Sequence, residues 1–222
     1  MNIFIRVGPG QGWQELLVRF LQLVMVGILA AGLWLGNGGV VVNAGVGLLV
    51  TLLPAFLERN YRFTMNVGIV LWITVAMFLH ALGTLPLPGL DLATLYGTTT
   101  WWDHVTHALS SSLVAGVAYA IVRALDEHTE YIHLPARFLF VYLLMFVMAF
   151  GVVWELIEFY ISVAARLLGV GTVLTQYGLD DTILDLFYNT LGGLLVALFG
   201  TVHLTGVADE LAARIGARET GR

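Results

Sequence analysis

Residues 138–168 read FLFVYLLMFVMAFGVVWELIEFYISVAARLL, with no charged residue before Glu155. A membrane-crossing helix needs about 20 mostly apolar residues to span a hydrocarbon core of about 30 Å. At about 1.5 Å per residue this stretch reaches about 46 Å, so as a helix it must tilt, kink or project from the bilayer. Gly151, inside it, marks either a kink or a close helix contact. Beyond Gly151 the polar residues are not scattered: Gly151, Glu155, Glu158, Ser162 and Arg166 recur at helical spacing and form one stripe.

Working outward, five more stretches have the same character, at 13–36, 38–57, 63–84, 104–125 and 181–204. The composition agrees: of 222 residues, 59% are hydrophobic and 11% charged, with a mean hydropathy of +0.87. A soluble domain of this size needs more polar surface. The expectation is an all-α, polytopic bundle of six transmembrane helices, a single membrane domain over 1–204 followed by a short tail over 205–222. The apolar run near the N-terminus follows Arg6 without a convincing small-residue cleavage site, and reads as a retained first span. Cysteine is absent, which excludes disulfides, thiolate nucleophiles and cysteine metal ligands.

Orientation follows from the basic residues, all of them arginine. Arg6, Arg19, Arg59, Arg62, Arg123, Arg137, Arg214, Arg218 and Arg222 fall on one side of this topology and Arg166 on the other. Cytoplasmic loops carry the basic excess, so both termini are expected in the cytoplasm of a plasma-membrane protein. Trp13, Trp34, Trp101 and Trp102 stand near span ends, where indole rings favour the interface. The loop 85–103, with Pro86, Pro88 and Gly89, is the longest external connection and reads as a partial lid on the membrane surface. Residues around Ala208 to Arg214 suit a short amphipathic helix in the tail. His128, His133 and His203 fall on the cytoplasmic side and read as solvent-facing.

The acids then acquire a sidedness. Asp91, Asp103, Glu155, Glu158, Asp180, Asp181 and Asp185 belong to the outer side or outer half, where Arg166 is the one arginine. The fourth span opens with Trp101-Trp102-Asp103-His104-Val105-Thr106-His107, placing His104, His107 and Ser111 on one face and Asp103 four residues before His107. The sixth opens at Asp180 and carries Asp181, Asp185 and Asn189 at four-residue steps, followed by Gly192 and Gly193, which permit close helix approach. Asp185 and Asn189 lie about 6 and 12 Å deeper than Asp181. His80 and Asn43 reach similar levels from the third and second spans.

Bland alternatives stand beside these readings. Asp103, Asp180 and Asp181 also fit helix caps, Asn43 and His80 fit helix–helix hydrogen bonding, and Trp154 fits packing. Glu155 and Glu158 are different, because an ionised carboxylate at membrane depth costs several kcal/mol unless paired or hydrated. Mixed imidazole and carboxylate groups suit Zn²⁺, Mn²⁺ or Fe²⁺, and the acids alone suit Mg²⁺ or Ca²⁺. The candidate metal ligands are His104, His107, Glu155, Glu158, Asp181 and Asp185. Glu155, Glu158, His107 and Asp185 are also the candidate catalytic groups, with Asp103, Asn189 and His80 in support. Without a metal, a Glu–His pair offers acid–base work or a proton relay. Three outer-half histidines are too few for the histidine-rich di-iron sites of membrane desaturases.

Taken in order, the Asp-His-x-x-His start of one span, the Glu-x-x-Glu of the next and the Asp-x-x-x-Asp-x-x-x-Asn-x-x-Gly-Gly of the last resemble the YjdF-like family of bacterial and archaeal membrane proteins. More distantly they resemble the VanZ-like family associated with glycopeptide-antibiotic resistance. The likeness covers roughly residues 95–200 and implies Asp103 with His107, Glu155 with Glu158, and Asp181, Asp185, Asn189, Gly192 and Gly193 as the matching positions. It carries a fold and no activity.

Three functions fit these residues. The first is an outer-leaflet enzyme, with or without a metal, for a lipid or polyprenyl-linked substrate, with phosphoester hydrolysis or transfer as its preferred chemistry. The second is a cation or proton transporter, which needs polar groups continuing to the cytoplasmic face. The third is a non-catalytic membrane module. Membrane lipids are the expected partners, nothing points to nucleic acid, and the oligomeric state stays open.

Overall fold

The computed structural model describes residues 12–87, 93–128, 131, 133–174 and 176–220, with side chains at all of these except 201–203, 205 and 214–220. Asp91, Arg6 and Arg222, and the side chains of His203, Arg214 and Arg218, named above, lie outside the described residues. The described chain is helical and holds no strand: α1 Gly12–Leu35, α2 Gly38–Tyr61, α3 Val67–Thr84, α4 Leu95–Thr98, α5 Thr100–His128, α6 Ala136–Leu168, α7 Leu179–His203 and α8 Thr205–Thr220. Six of them (α1, α2, α3, α5, α6 and α7) are long and apolar enough to cross a membrane.

Local chemistry sets the helix ends. α1 stops at Gly36, whose φ of +64° is a left-handed conformation that costs glycine little. Asn37 then caps α2, its side-chain oxygen accepting the Val40 N–H at 3.2 Å. α2 continues past Pro54 to Tyr61, beyond the expected end near 57. Arg62 closes it in the left-handed region, with the Phe63 N–H bonded back to the Leu57 carbonyl. α3 begins at Val67, later than expected, because Asn66 caps it by accepting the Gly68 N–H. α5 starts at Thr100, four residues before the expected span, so the preceding loop is shorter and includes the single turn of α4.

The helices divide into two compact units, Met1–Thr106 with Ile157–Gln176, and His107–Leu156 with Tyr177–Arg222. In the first, α1, α2 and α3 pack on one another around Met25, Ile28, Val40, Ala44 and Ala81. A side chain at Gly47 would strike the Met25 Cε at 2.6 Å, so α2 is pressed against α1 there. The link after α6 also belongs to this unit. Asn43 donates to the Val173 carbonyl at 3.2 Å, and Ser162 donates to that of Leu174 at 3.1 Å. Asn43 is thus a hydrogen-bonding group between segments.

The second unit has an alanine-rich core of Ala115, Ala118, Tyr119, Ala120 and Ala124 from α5, with Leu139, Leu143 and Val147 from α6 and Val196 from α7. A Cβ on Gly192 would fall on the Ala108 carbonyl and Ser111 hydroxyl of α5, and one on Gly193 would meet Val147 of α6 at 3.2 Å. Adjacent glycines therefore let α7 approach α5 on one face and α6 on the next. Gly151 makes a close contact too: its missing side chain leaves room for Asn189 and Leu186, 2.9 and 3.0 Å from where a Cβ would sit. α8 follows α7 through buried Leu204 and Ala208.

α6 shows which solvent these helices meet. Its buried positions, Leu139, Leu143, Val147, Gly151, Glu155, Glu158 and Ala165, form one stripe. Arg166, expected on that stripe, is exposed, and Ala165 takes its place. The remaining faces present Phe138, Met145, Phe150, Val153, Ile157 and Tyr160 outward. An apolar exterior around a stripe that turns acidic inverts the pattern of a water-soluble helix, and lipid is the solvent that permits it.

Candidate metal centre and its buried acids

Two buried polar side chains face each other within the second unit. Asp185, on the second turn of α7, is 1% exposed, and His107 of α5 is 8% exposed. His107 Nε2 lies 3.8 Å from Asp185 Oδ1. That distance is too long for a direct hydrogen bond. It is close to the ~3.4 Å that separates two ligand atoms placed ~2.0–2.1 Å from a tetrahedral metal. α5 runs without interruption through Thr106 and His107, so the helix itself sets Asp103 one turn before His107. Asp103, His107 and Asp185 are therefore the candidate ligands, the first pair spaced by one helix and the second by the packing of α5 on α7.

The donors are hard or borderline: one imidazole nitrogen and carboxylate oxygens, with no thiolate. Such a set fits Zn²⁺, Mn²⁺ or Fe²⁺ better than a soft cation. Three protein ligands leave coordination positions for water or substrate, which distinguishes catalytic from closed structural sites. The residues present therefore fit a divalent metal.

Glu155 lies deep on α6, 4% exposed, and its Oε2 accepts the Thr182 hydroxyl proton at 2.8 Å. Thr182 and Asp185 are three residues apart on α7, so this bond places Glu155 against the same helical face that carries Asp185. Glu158 follows one turn along α6 and is also buried. Asn189, 5% exposed, stacks its amide over Gly151 one turn below Asp185. Ser111 and Ser112 are buried and donate to the Ala108 and Leu109 carbonyls of their own helix, as packing residues do.

The other expected site residues have different surroundings. Asp181 is half-buried, and its carboxylate accepts the Tyr177 N–H at 3.0 Å. It fastens the approach to α7, where the N-cap Gly178 has no side chain to do so. His104 is half-buried beside Asp103 and outside the group of three. His80 of α3 pairs with Tyr96 of α4, Nδ1 to hydroxyl at 2.8 Å. Tyr96, Thr106 and Thr182 were not singled out from the sequence. Thr182 sits on the helical face of Asp185 and Thr106 beside His107, the one signal that pointed to either.

The family model described as predicted membrane protein (DUF2238) matches residues 16–206, which include every one of these side chains. The chain belongs to the DUF2238 family. This is consistent with the YjdF-like resemblance of its motifs, whereas the more distant VanZ-like resemblance rests on the motifs alone. The DUF2238 description names a membrane protein and no reaction. No curated protein and no solved structure matches the chain.

Proposed function

We propose that this DUF2238 protein is a membrane-embedded metalloenzyme acting on the polar head of a lipid or polyprenyl-linked substrate. Asp103, His107 and Asp185 are its metal ligands, and Glu155 takes up and returns protons. The observation that carries this reading is the 3.8 Å approach of His107 Nε2 to Asp185 Oδ1, both buried in helices whose exterior is apolar. Carboxylates at membrane depth are costly, and a cation among them offsets that cost. A bound divalent metal would polarise a phosphoryl oxygen and lower the pKa of a coordinated water. Glu155, steadied by Thr182, is the buried base best placed on that face of α7. Glu158 extends the acidic stripe toward the Arg166 end of α6. The arginine distribution supports an outer-leaflet position for this end of α5 and α7, within reach of lipid-linked head groups.

The test is metal content followed by turnover. Purified protein in detergent should retain about one divalent ion per chain after exposure to a weak chelator. Asp185→Asn and His107→Ala should lose it while keeping the helical circular dichroism of the parent. Polyprenyl phosphates and diphosphates then serve as substrates, with released phosphate as the readout and Glu155→Gln as the inactive control that still holds metal. A wild-type protein that takes up none of Zn²⁺, Mn²⁺, Fe²⁺ or Mg²⁺ while correctly folded would overturn the reading.

A further inference from the structure

Away from the buried acids, α3 presents a notch that receives two neighbours. A Cβ on Gly83 would lie 2.5 Å from the Trp102 indole nitrogen and 2.5 Å from the Tyr96 ring. No side chain fits at position 83 while both rings are seated. One turn earlier on α3, His80 meets the Tyr96 hydroxyl at 2.8 Å. Tyr96 in turn donates to Thr106 Oγ1 at 3.3 Å, and Thr106 donates to the Asp103 carbonyl at 2.8 Å. Trp102 and Asp103 are adjacent, so α3 grips the first turn of α5 on both sides of the residue that supplies a carboxylate.

The chain of bonds has a direction. The Thr106 proton is committed to the Asp103 carbonyl, and the Tyr96 proton to Thr106. The remaining bond then requires a proton on His80 Nδ1, because a phenol has one proton to give. His80 thereby acts as a donor that orients Tyr96.

We infer that His80 and Tyr96 are positioning residues for the metal centre: through Thr106 and the Gly83 notch they fix the first turn of α5 and with it Asp103. This rests on the proposed metal site and adds a layer to it. Outer partners of metal ligands are worth 10–100-fold in metal affinity in other proteins. A ligand set drawn from the open end of a helix has particular need of one.

The experiment titrates Co²⁺ and Zn²⁺ into metal-free protein in detergent and records the visible Co²⁺ spectrum. Tyr96→Phe keeps the ring in the notch and removes only the hydroxyl. It should weaken binding by about 10-fold and shift the Co²⁺ bands, with only a small fall in the thermal stability of the metal-free protein. His80→Leu should do the same, and His80→Gln, which can still donate to Tyr96, should restore both affinity and spectrum. Tyr96→Phe that binds like wild type, with the same spectrum, overturns the inference and leaves the metal site standing. Wild-type protein that binds neither ion overturns both.

Discussion

Asp185 and Glu155 are carboxylates one helix apart, yet their surroundings assign them different work. Asp185 faces an imidazole 3.8 Å away and belongs to the group of three. Glu155 accepts a hydrogen bond from the Thr182 hydroxyl at 2.8 Å. That donor fixes the direction of one carboxylate oxygen, which suits a group that must take up and return a proton. Thr182→Val keeps the shape of the side chain and deletes that donor. Side-chain hydrogen bonds between membrane helices average about 0.6 kcal/mol, so the loss of stability should be about that size. The loss of turnover should be much larger, and an assay of both on the same preparation checks it. A fall in activity that merely tracks the fall in stability would make Thr182 a packing residue. None of this was visible in the sequence, where Thr182 is a neutral residue between two better candidates. The partner of Glu155 lies on another helix, and no local spacing announces a bond between distant segments.

At the scale of the helix, the spans could be read to within a few residues because each obeys two rules at once. Apolar length sets the middle, and Asn37, Asn66 and Gly36 set the ends. α2 overran its expected end because Pro54 lacks only an N–H, and the helix continues to Tyr61 on the bonds that remain. The stripe on α6 was legible from its period, since Gly151, Glu155 and Glu158 are all buried. Its last member was not, because Arg166 and Ala165 fit the spacing equally and only packing separates them. Packing also separates the faces of these helices in energy. Gly192→Leu would push a side chain into the Ala108 carbonyl and should cost about 1–3 kcal/mol or more. Met145→Leu, on the apolar exterior of α6, should stay within about 0.5 kcal/mol. Unfolding of the two variants in mixed detergent micelles measures both. Equal midpoints would mean that α7 does not approach α5 at Gly192.

For the whole molecule, the number of crossings was readable from hydropathy, and the direction of crossing is carried by the arginines alone. Both termini are proposed to lie in the cytoplasm. The absence of cysteine makes the test clean, since one introduced thiol is the only thiol. Thr98→Cys, on α4, should react with an impermeant maleimide in intact cells, and a cysteine at position 60 should react only after the membrane is opened. The opposite pattern would invert the topology and put the metal centre at the cytoplasmic leaflet.

The close fit at Gly192 has a further consequence for such a molecule. The α7 backbone rests there on α5, and the described core past it is alanine, leucine, valine and Tyr119. Asp185 lies seven residues from this contact along α7, about 10 Å. Any side chain at position 192 would therefore act as a wedge that also shifts the Asp185 carboxylate against His107.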